Sequence, residues 1–464
     1  MSHFSPDKST SEGKNILLKF SYLEFKFFID RVFFMRHNRG MKCTLILFLI
    51  FLTIGFGGLN AAAGVENGGD KEEKAYLPYV ELPSEVYQLL KNSKWTQAVD
   101  KLIYLYEKPG SDTNLKFYIA FCYEHIADTA IKEKRYRDGI DLLNNALEYV
   151  DDQPRIYFGQ GVCYFTLAQY EDAEEAFSNV VRLLPDHFLA HRMLGEINYL
   201  NNNLDEAREH WETALKLKPD DSYTKKRLAG LKKFDKVAEN FETEAGMMFS
   251  VSFNGKEKPE LRELVLGMLE KISSHVGNEL GLYPKRQIPV ILLTNRAFFD
   301  ITGSPEWAGG VYEGQIKVPV DKYDASLLRI VLAHEYVHAV IFDRLTFRCP
   351  WWLNEGLAQY LSLDQVGNKK KLDLAAKYIS EGEVPSLGEL PGNMLTGGGQ
   401  QVQVAYALAL SAVQYFVDQF GISGLQLAFD FMADGKGFAS VIGEITGYSF
   451  KEFQTSWKEA TSGK

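Results

Sequence analysis

Cysteine is scarce in this chain, with four in 464 residues. Cys43 precedes an apolar run, and the three that come after it, Cys122, Cys163 and Cys349, are an odd set. That count offers no disulfide framework, and no cysteine stands after the apolar run where a lipid could be attached. Basic residues are outnumbered, 51 against 61 acidic ones, for a net charge of −10. With no basic stripe, a nucleic-acid partner is excluded. The glycine-rich stretch 394–401 lacks the Lys and Ser/Thr of a phosphate loop, which excludes nucleotide binding there. Long apolar runs are also missing. The strongest, Thr44 to Phe56 (TLILFLIFLTIGF), is short for a membrane span. What is there has an ordinary globular balance, 46% hydrophobic and 24% charged, and length for two or three domains.

The amino terminus reads as an address. Arg36, Arg39 and Lys42 precede the apolar run, and Leu59-Asn60-Ala61-Ala62-Ala63-Gly64 comes directly after it. A basic segment, a short apolar core and an A-x-A end describe a signal peptide over 41–63, cleaved after Ala63. An uncleaved anchor is the alternative. Either way the rest is exported to the periplasm or the extracellular space, released or membrane-held. Residues 1–40 read as an over-extended start and receive no fold.

From residue 82 to 231 the chain repeats itself. Tyr170, Ala173, Phe177, Val180 and Pro185 recur 34 residues later as Leu204, Ala207, Trp211, Ala214 and Pro219, and Gly161 recurs as Gly195. The register reaches back to Tyr136, Gly139, Leu143 and Ala146 across a seven-residue insertion, expected between two helices, that aligns Cys122 with Cys163. Trp95-Thr96-Gln97-Ala98 marks a further unit. The pattern resembles tetratricopeptide repeats, which implies an all-α solenoid of helix pairs. Its role is either a platform for a protein or peptide partner, or a buttress for the carboxy-terminal domain. Cys122 and Cys163 fall at equivalent positions and read as small core residues. His187 and His191, also four apart, have no Glu between them and read as surface residues.

The chemistry sits downstream. Val331-Leu332-Ala333-His334-Glu335-Tyr336-Val337-His338-Ala339-Val340 is H-E-x-x-H in an apolar, helix-compatible run. Positions four apart share a helix face, so His334 and His338 can bind one metal ion, while Glu335 lies beside that face as a general base. A catalytic site of this kind needs a third protein ligand. Glu355, in Asn354-Glu355-Gly356-Leu357-Ala358 on the next helix beyond Pro350, supplies it. Strands are expected at 247–253, 288–293 and 311–320, and a helix at 261–280, so 234–464 reads as an α+β domain.

The two motifs resemble the gluzincins, metallopeptidases with two His and a Glu on zinc, and look most like their peptidase MA-like branch. Sixteen residues separate His338 from Glu355, slightly fewer than in thermolysin or aminopeptidase N, and the G-x-M-E-N motif of aminopeptidases is missing. The resemblance implies a zincin-like fold, Zn2+ as cofactor, and a protein or peptide substrate cleaved by a water that Glu335 activates. It implies an edge strand at Gly309-Gly310-Val311-Tyr312, where a peptide can add by main-chain hydrogen bonds. It also implies that Tyr406, opening the helix AYALALSAVQYFVDQFG, donates a hydrogen bond to the developing oxyanion; Tyr336 and Tyr360 compete for that role. The rival expectations are a catalytically inactive zinc-binding scaffold of the cell envelope acting through its repeats, and a hydrolase of non-peptide amides.

Overall fold

The computed structural model describes residues 77–464, apart from 240, 255–258, 305–307, 323, 383, 391–398 and 464. The expected start segment (1–40), the signal peptide (41–63) and most of the glycine-rich stretch lie outside the described residues.

Helix pairs succeed one another from the amino-terminal side: α1 (Ser84–Lys91) with α2 (Trp95–Tyr106), α3 (Leu115–Lys132) with α4 (Tyr136–Leu147), α5 (Pro154–Thr166) with α6 (Tyr170–Leu183), and α7 (Phe188–Leu200) with α8 (Leu204–Leu217). Helix α9 (Ser222–Ala238) closes the series. The turn inside each pair puts one non-glycine residue in the left-handed region: Ser93, Lys134, Ala168 and Asn202, with φ of 55°, 64°, 59° and 62°. These four mark the same position in four units. The seven extra residues fall inside a helix, not between helices as expected: past Cys122, α3 runs ten more residues to Lys132, whereas past the equivalent Cys163, α5 runs three to Thr166. Seven residues make about two helical turns, so the apolar stripe keeps its phase. The recurring glycines mark close packing. A Cβ on Gly161 would lie 2.8 Å from the Phe177 ring, and one on Gly195 would lie 2.3 Å from the Trp211 ring.

Two readings of the repeats need adjustment. His191 is buried, not a surface residue: its Nε2 lies 3.0 Å from the Pro185 carbonyl and its Nδ1 lies 3.1 Å from His210 Nδ1. His187 caps α7, accepting from the Ala190 N–H. A Pro-Asp segment that closes one unit thus also ties the next. The expected boundary near 231–234 lies within α9, where Arg208 holds Asp235 through bonds of 2.8 and 3.0 Å.

Beyond α9 lies a five-stranded mixed sheet: β1 (Phe241–Ala245), β2 (Phe249–Asn254), β3 (Ile288–Leu293), β4 (Val311–Tyr312) and β5 (Ile316–Pro319), in the order β1-β2-β3-β5-β4. β3 is buried along its whole length, as its unbroken apolar sequence requires of a central strand. β1 was not expected; its sequence, Phe-Glu-Thr-Glu-Ala, is too polar to read as a strand, and it forms as the antiparallel partner of β2. The strand expected over 311–320 folds back on itself at Gly314, φ 87°, giving the β4–β5 hairpin. β4 is the sheet edge.

Helices complete the domain: α10 (Pro259–Leu280), α11 (Asn295–Thr302), α12 (Ala325–Leu345), α13 (Trp351–Tyr360), α14 (Gln365–Glu381), α15 (Gly399–Ala433), α16 (Phe438–Thr446) and α17 (Phe450–Ser462). Tyr406 lies inside α15, not at its start, and α15 bends at Gly421, φ 70°. One apolar core joins β2, β3 and β5 to α10, α12, α13 and α15.

The repeats and this domain share an interface. Phe342, near the end of α12, and Phe347, just beyond it, pack against the core of the third and fourth units. Thr346 Oγ1 donates to the Thr166 carbonyl at 2.9 Å. Lys317 Nζ donates to Tyr199 Oη at 2.9 Å, and Gln315 Nε2 donates to Asn202 Oδ1 at the same distance. Lys317 is only 3% exposed. A buried lysine without partners is costly, so this contact makes the repeats a fixed support for the β4–β5 hairpin.

Candidate metal centre

Helix α12 begins where Asp324 accepts hydrogen bonds from the N–H groups of Ser326 and Leu327, each at 2.9 Å. Its inner stripe, Leu332, Ala333, Tyr336, Val337, Ala339 and Val340, is buried in the main core. That stripe fixes the rotation of the helix and aims His334 and His338 the other way. Their Nε2 atoms lie 3.2 Å apart. Glu355 Oε2, from α13, lies 3.6 Å from His334 Nε2 and 3.5 Å from His338 Nε2. A tetrahedral zinc with bonds of about 2.0–2.1 Å sets its ligand atoms about 3.3–3.4 Å apart. The observed triangle brackets that spacing, so the three side chains fit one small divalent cation.

The electrostatics agree. Burial alone would neutralise Glu355, yet His338 and His334 hold its carboxyl far below the usual range. Burial likewise presses His338 down, and the Glu355 carboxylate overrides it, lifting the imidazole to about 9. The ionised Glu355 carboxylate favours positive charge at this point; a proton on His338 supplies it, and a metal ion binding there would displace that proton. On the far side of the His338 ring, Nδ1 is buried without a hydrogen-bond partner, and so is Asn354 Oδ1. The two are complementary, and the Asn354 side chain raises His338 as a nearby acceptor does. A metal-binding histidine commonly anchors its other ring nitrogen in this way.

Why glycine stands at 356, next to Glu355, is a matter of packing. A Cβ there would come 2.4 Å from the Ala409 carbonyl oxygen and 2.6 Å from Val413. The glycine lets α13 approach α15, which carries Tyr406. The Tyr406 ring packs edge-on against Trp351 at 5.4 Å. Its phenol is raised well above 10, by burial first and then by the Glu355 and Glu335 charges it faces. The competitors lie elsewhere. Tyr336 is fully buried and exchanges a 2.8 Å hydrogen bond with Ser273 Oγ. Tyr360 faces Glu279 and Asp418.

Glu335 is buried beneath the edge strand. A Cβ on Gly310 would lie 2.9 Å from its Cγ and 3.0 Å from its Oε1, so only glycine lets the strand rest there. The Tyr312 backbone N–H lies near enough to the Glu335 carboxylate to pull it down slightly. Burial raises this carboxyl, the two imidazoles pull it down and Glu355 pushes it up again. Gly310 and Tyr312 stand in the segment expected as an edge strand and Asn354 in the motif that carries Glu355, but the close contacts each makes at the site are not legible in the sequence. Cys349 is a free thiol pushed up by burial and by Glu355.

Comparison with known proteins bears on the repeats. Residues 165–222 match the tetratricopeptide repeat family. The human protein O-mannosyl-transferase TMTC1 is 26% identical over 119 residues, 25% of this chain and 14% of that protein. The bovine BBSome complex member BBS4 is 25% identical over 150 residues, 32% of this chain and 23% of that protein. The chain thus spans less than a quarter of the length of these two relatives. Among solved structures, the first repeat domain of Spaghetti (RPAP3) bound to an HSP90 peptide is 20% identical, with 25% of this chain and 91% of that one covered and a TM-score of 0.24. MamA is 21% identical, covering 31% and 75%, with a TM-score of 0.25. The chain carries tetratricopeptide repeats beside a small mixed sheet and its helices.

Proposed function

We propose that this chain is a zinc-dependent hydrolase of peptide bonds, of the gluzincin type, exported and working outside the cytoplasm. The observation that carries the reading is the convergence of His334, His338 and Glu355, with Glu335 buried beside them under a sheet edge. His334 and His338 would hold the metal through Nε2, and Glu355 through Oε2. When bound, zinc acts as a Lewis acid that polarises a carbonyl and makes water acidic enough to ionise near neutral pH. The rest is the work of the chain. Edge strand β4 offers main-chain groups to an extended peptide. Glu335 takes the proton of the attacking water on its carboxylate and returns it to the leaving amine. Its elevated pKa suits a group that must both accept and give up a proton. Tyr406, kept protonated by its surroundings, is the donor for the developing oxyanion.

Tetratricopeptide repeats support a protein or peptide partner as well, and the second reading is a zinc-holding scaffold that acts through them without turnover. An intact Glu335 favours the enzyme, since a scaffold needs no base. Glu335→Gln separates the two: it should keep the metal and lose turnover of labelled casein by about a thousandfold or more. Turnover retained in that variant sinks the mechanism.

A further inference from the structure

Arg286, just before β3, gathers three elements at one point. Its Nε donates to Asp343 Oδ1 at 3.0 Å, on α12. One terminal nitrogen donates to Tyr312 Oη at 2.7 Å, on β4, and the other to the carbonyl of Leu200, the last residue of repeat helix α7. The Arg286 side chain is 11% exposed and that of Asp343 is 4%. Two residues before Tyr312, at the foot of the same strand, Gly310 lies directly against the Glu335 side chain, where a Cβ would meet Cγ at 2.9 Å and Oε1 at 3.0 Å. β4 is two residues long and pairs only with β5. So short an edge has little stability of its own, and its second anchor is the Tyr312 phenol on Arg286.

We propose that Arg286 is a positioning residue for Glu335, through which the repeat array fixes the strand that holds the catalytic base. The inference rests on the hydrolase reading above for its catalytic consequence, and on the contacts alone for its structural one. The planar guanidinium offers five donors in a fixed fork and so reaches three acceptors on three elements at once; an ammonium is a point charge that cannot span them. The repeats then do more than support the fold: displacement of α7 by a bound partner would reach Glu335 through two side chains.

The test uses the full chain and three variants, Arg286→Lys, Tyr312→Phe and the double. The first readout, amide hydrogen exchange at Tyr312, needs no substrate. Each single variant should speed that exchange by about tenfold, with the double variant no faster than the faster single, because both act on one path. The second readout is turnover of fluorescein-labelled casein, in which kcat should fall about tenfold with KM within about twofold of wild type. A purely structural staple would not split the two constants. Unchanged Tyr312 exchange in both variants, or effects that add, would overturn the proposal, as would KM rising in step with the loss of kcat. Should Arg286→Lys fail to fold, Tyr312→Phe, which removes one oxygen and leaves the backbone N–H, carries the test. Turnover retained in Glu335→Gln would instead overturn the hydrolase reading, and the exchange data would still decide whether Arg286 clamps the strand.

Discussion

The Cα of Gly356 faces the carbonyl oxygen of Ala409 so closely that a Cβ would stand 2.4 Å from it. That contact joins the helix carrying Glu355 to the helix carrying Tyr406, and it sets how far each reaches toward His334 and His338. Gly356→Ala should therefore force the helices apart. A loss of roughly 2–4 kcal/mol in denaturant unfolding is expected, with weaker zinc binding in competition against a chelator. Full stability together with wild-type zinc affinity would show that the close approach is not required.

Asn354 makes a narrower case. Its side chain lies close enough to His338 to raise it, and its amide oxygen and the far ring nitrogen are both buried with no other partner. Asn354→Ala should lower zinc affinity by roughly 10–100-fold while leaving the fold intact. Unchanged affinity would mean that the ring is oriented by packing alone.

Tyr406→Phe removes one oxygen from a ring wedged against Trp351. Zinc content and melting temperature should stay at wild-type values, and kcat on labelled casein should fall by roughly 100–1,000-fold, the range for losing one oxyanion donor. An unchanged kcat would return Tyr406 to the core.

How far these residues were legible in the sequence differs case by case. His334, Glu335, His338 and Glu355 announce themselves because the chemistry fixes their spacing along and between helices. The repeats were legible because the solenoid imposes one period on Gly161, Gly195, Phe177 and Trp211. Long-range partners were not. Arg286 has no local signature, since its three partners come from α7, β4 and α12. β1 is polar and exists only because β2 offers an edge. His191 reads as polar, and its burial comes from the way one unit covers the next. The insertion before Lys134 looked like a loop, and its length of about two turns lets it continue the helix instead.

The second repeat unit carries a pH dependence. Glu124 on α3 is lifted to about 7, chiefly by burial and by Asp128, against the pull of Arg155. A carboxyl whose folded pKa is raised contributes stability that is present below its unfolded value near 4.5, and loses it as pH rises through 7. Glu124→Gln should therefore gain on wild type between pH 5 and pH 8, by on the order of 2–3 kcal/mol. A difference in melting temperature that is flat across that range would contradict the assignment.

The central claim is that His334, His338 and Glu355 hold one cation. Metal content by mass spectrometry on the purified chain, beside His338→Ala, tests it most directly. About one zinc per chain is expected in the wild type, and none in the variant. A wild-type chain that takes up no zinc under conditions that load a known zinc enzyme, or a variant that keeps its zinc, would rule the site out.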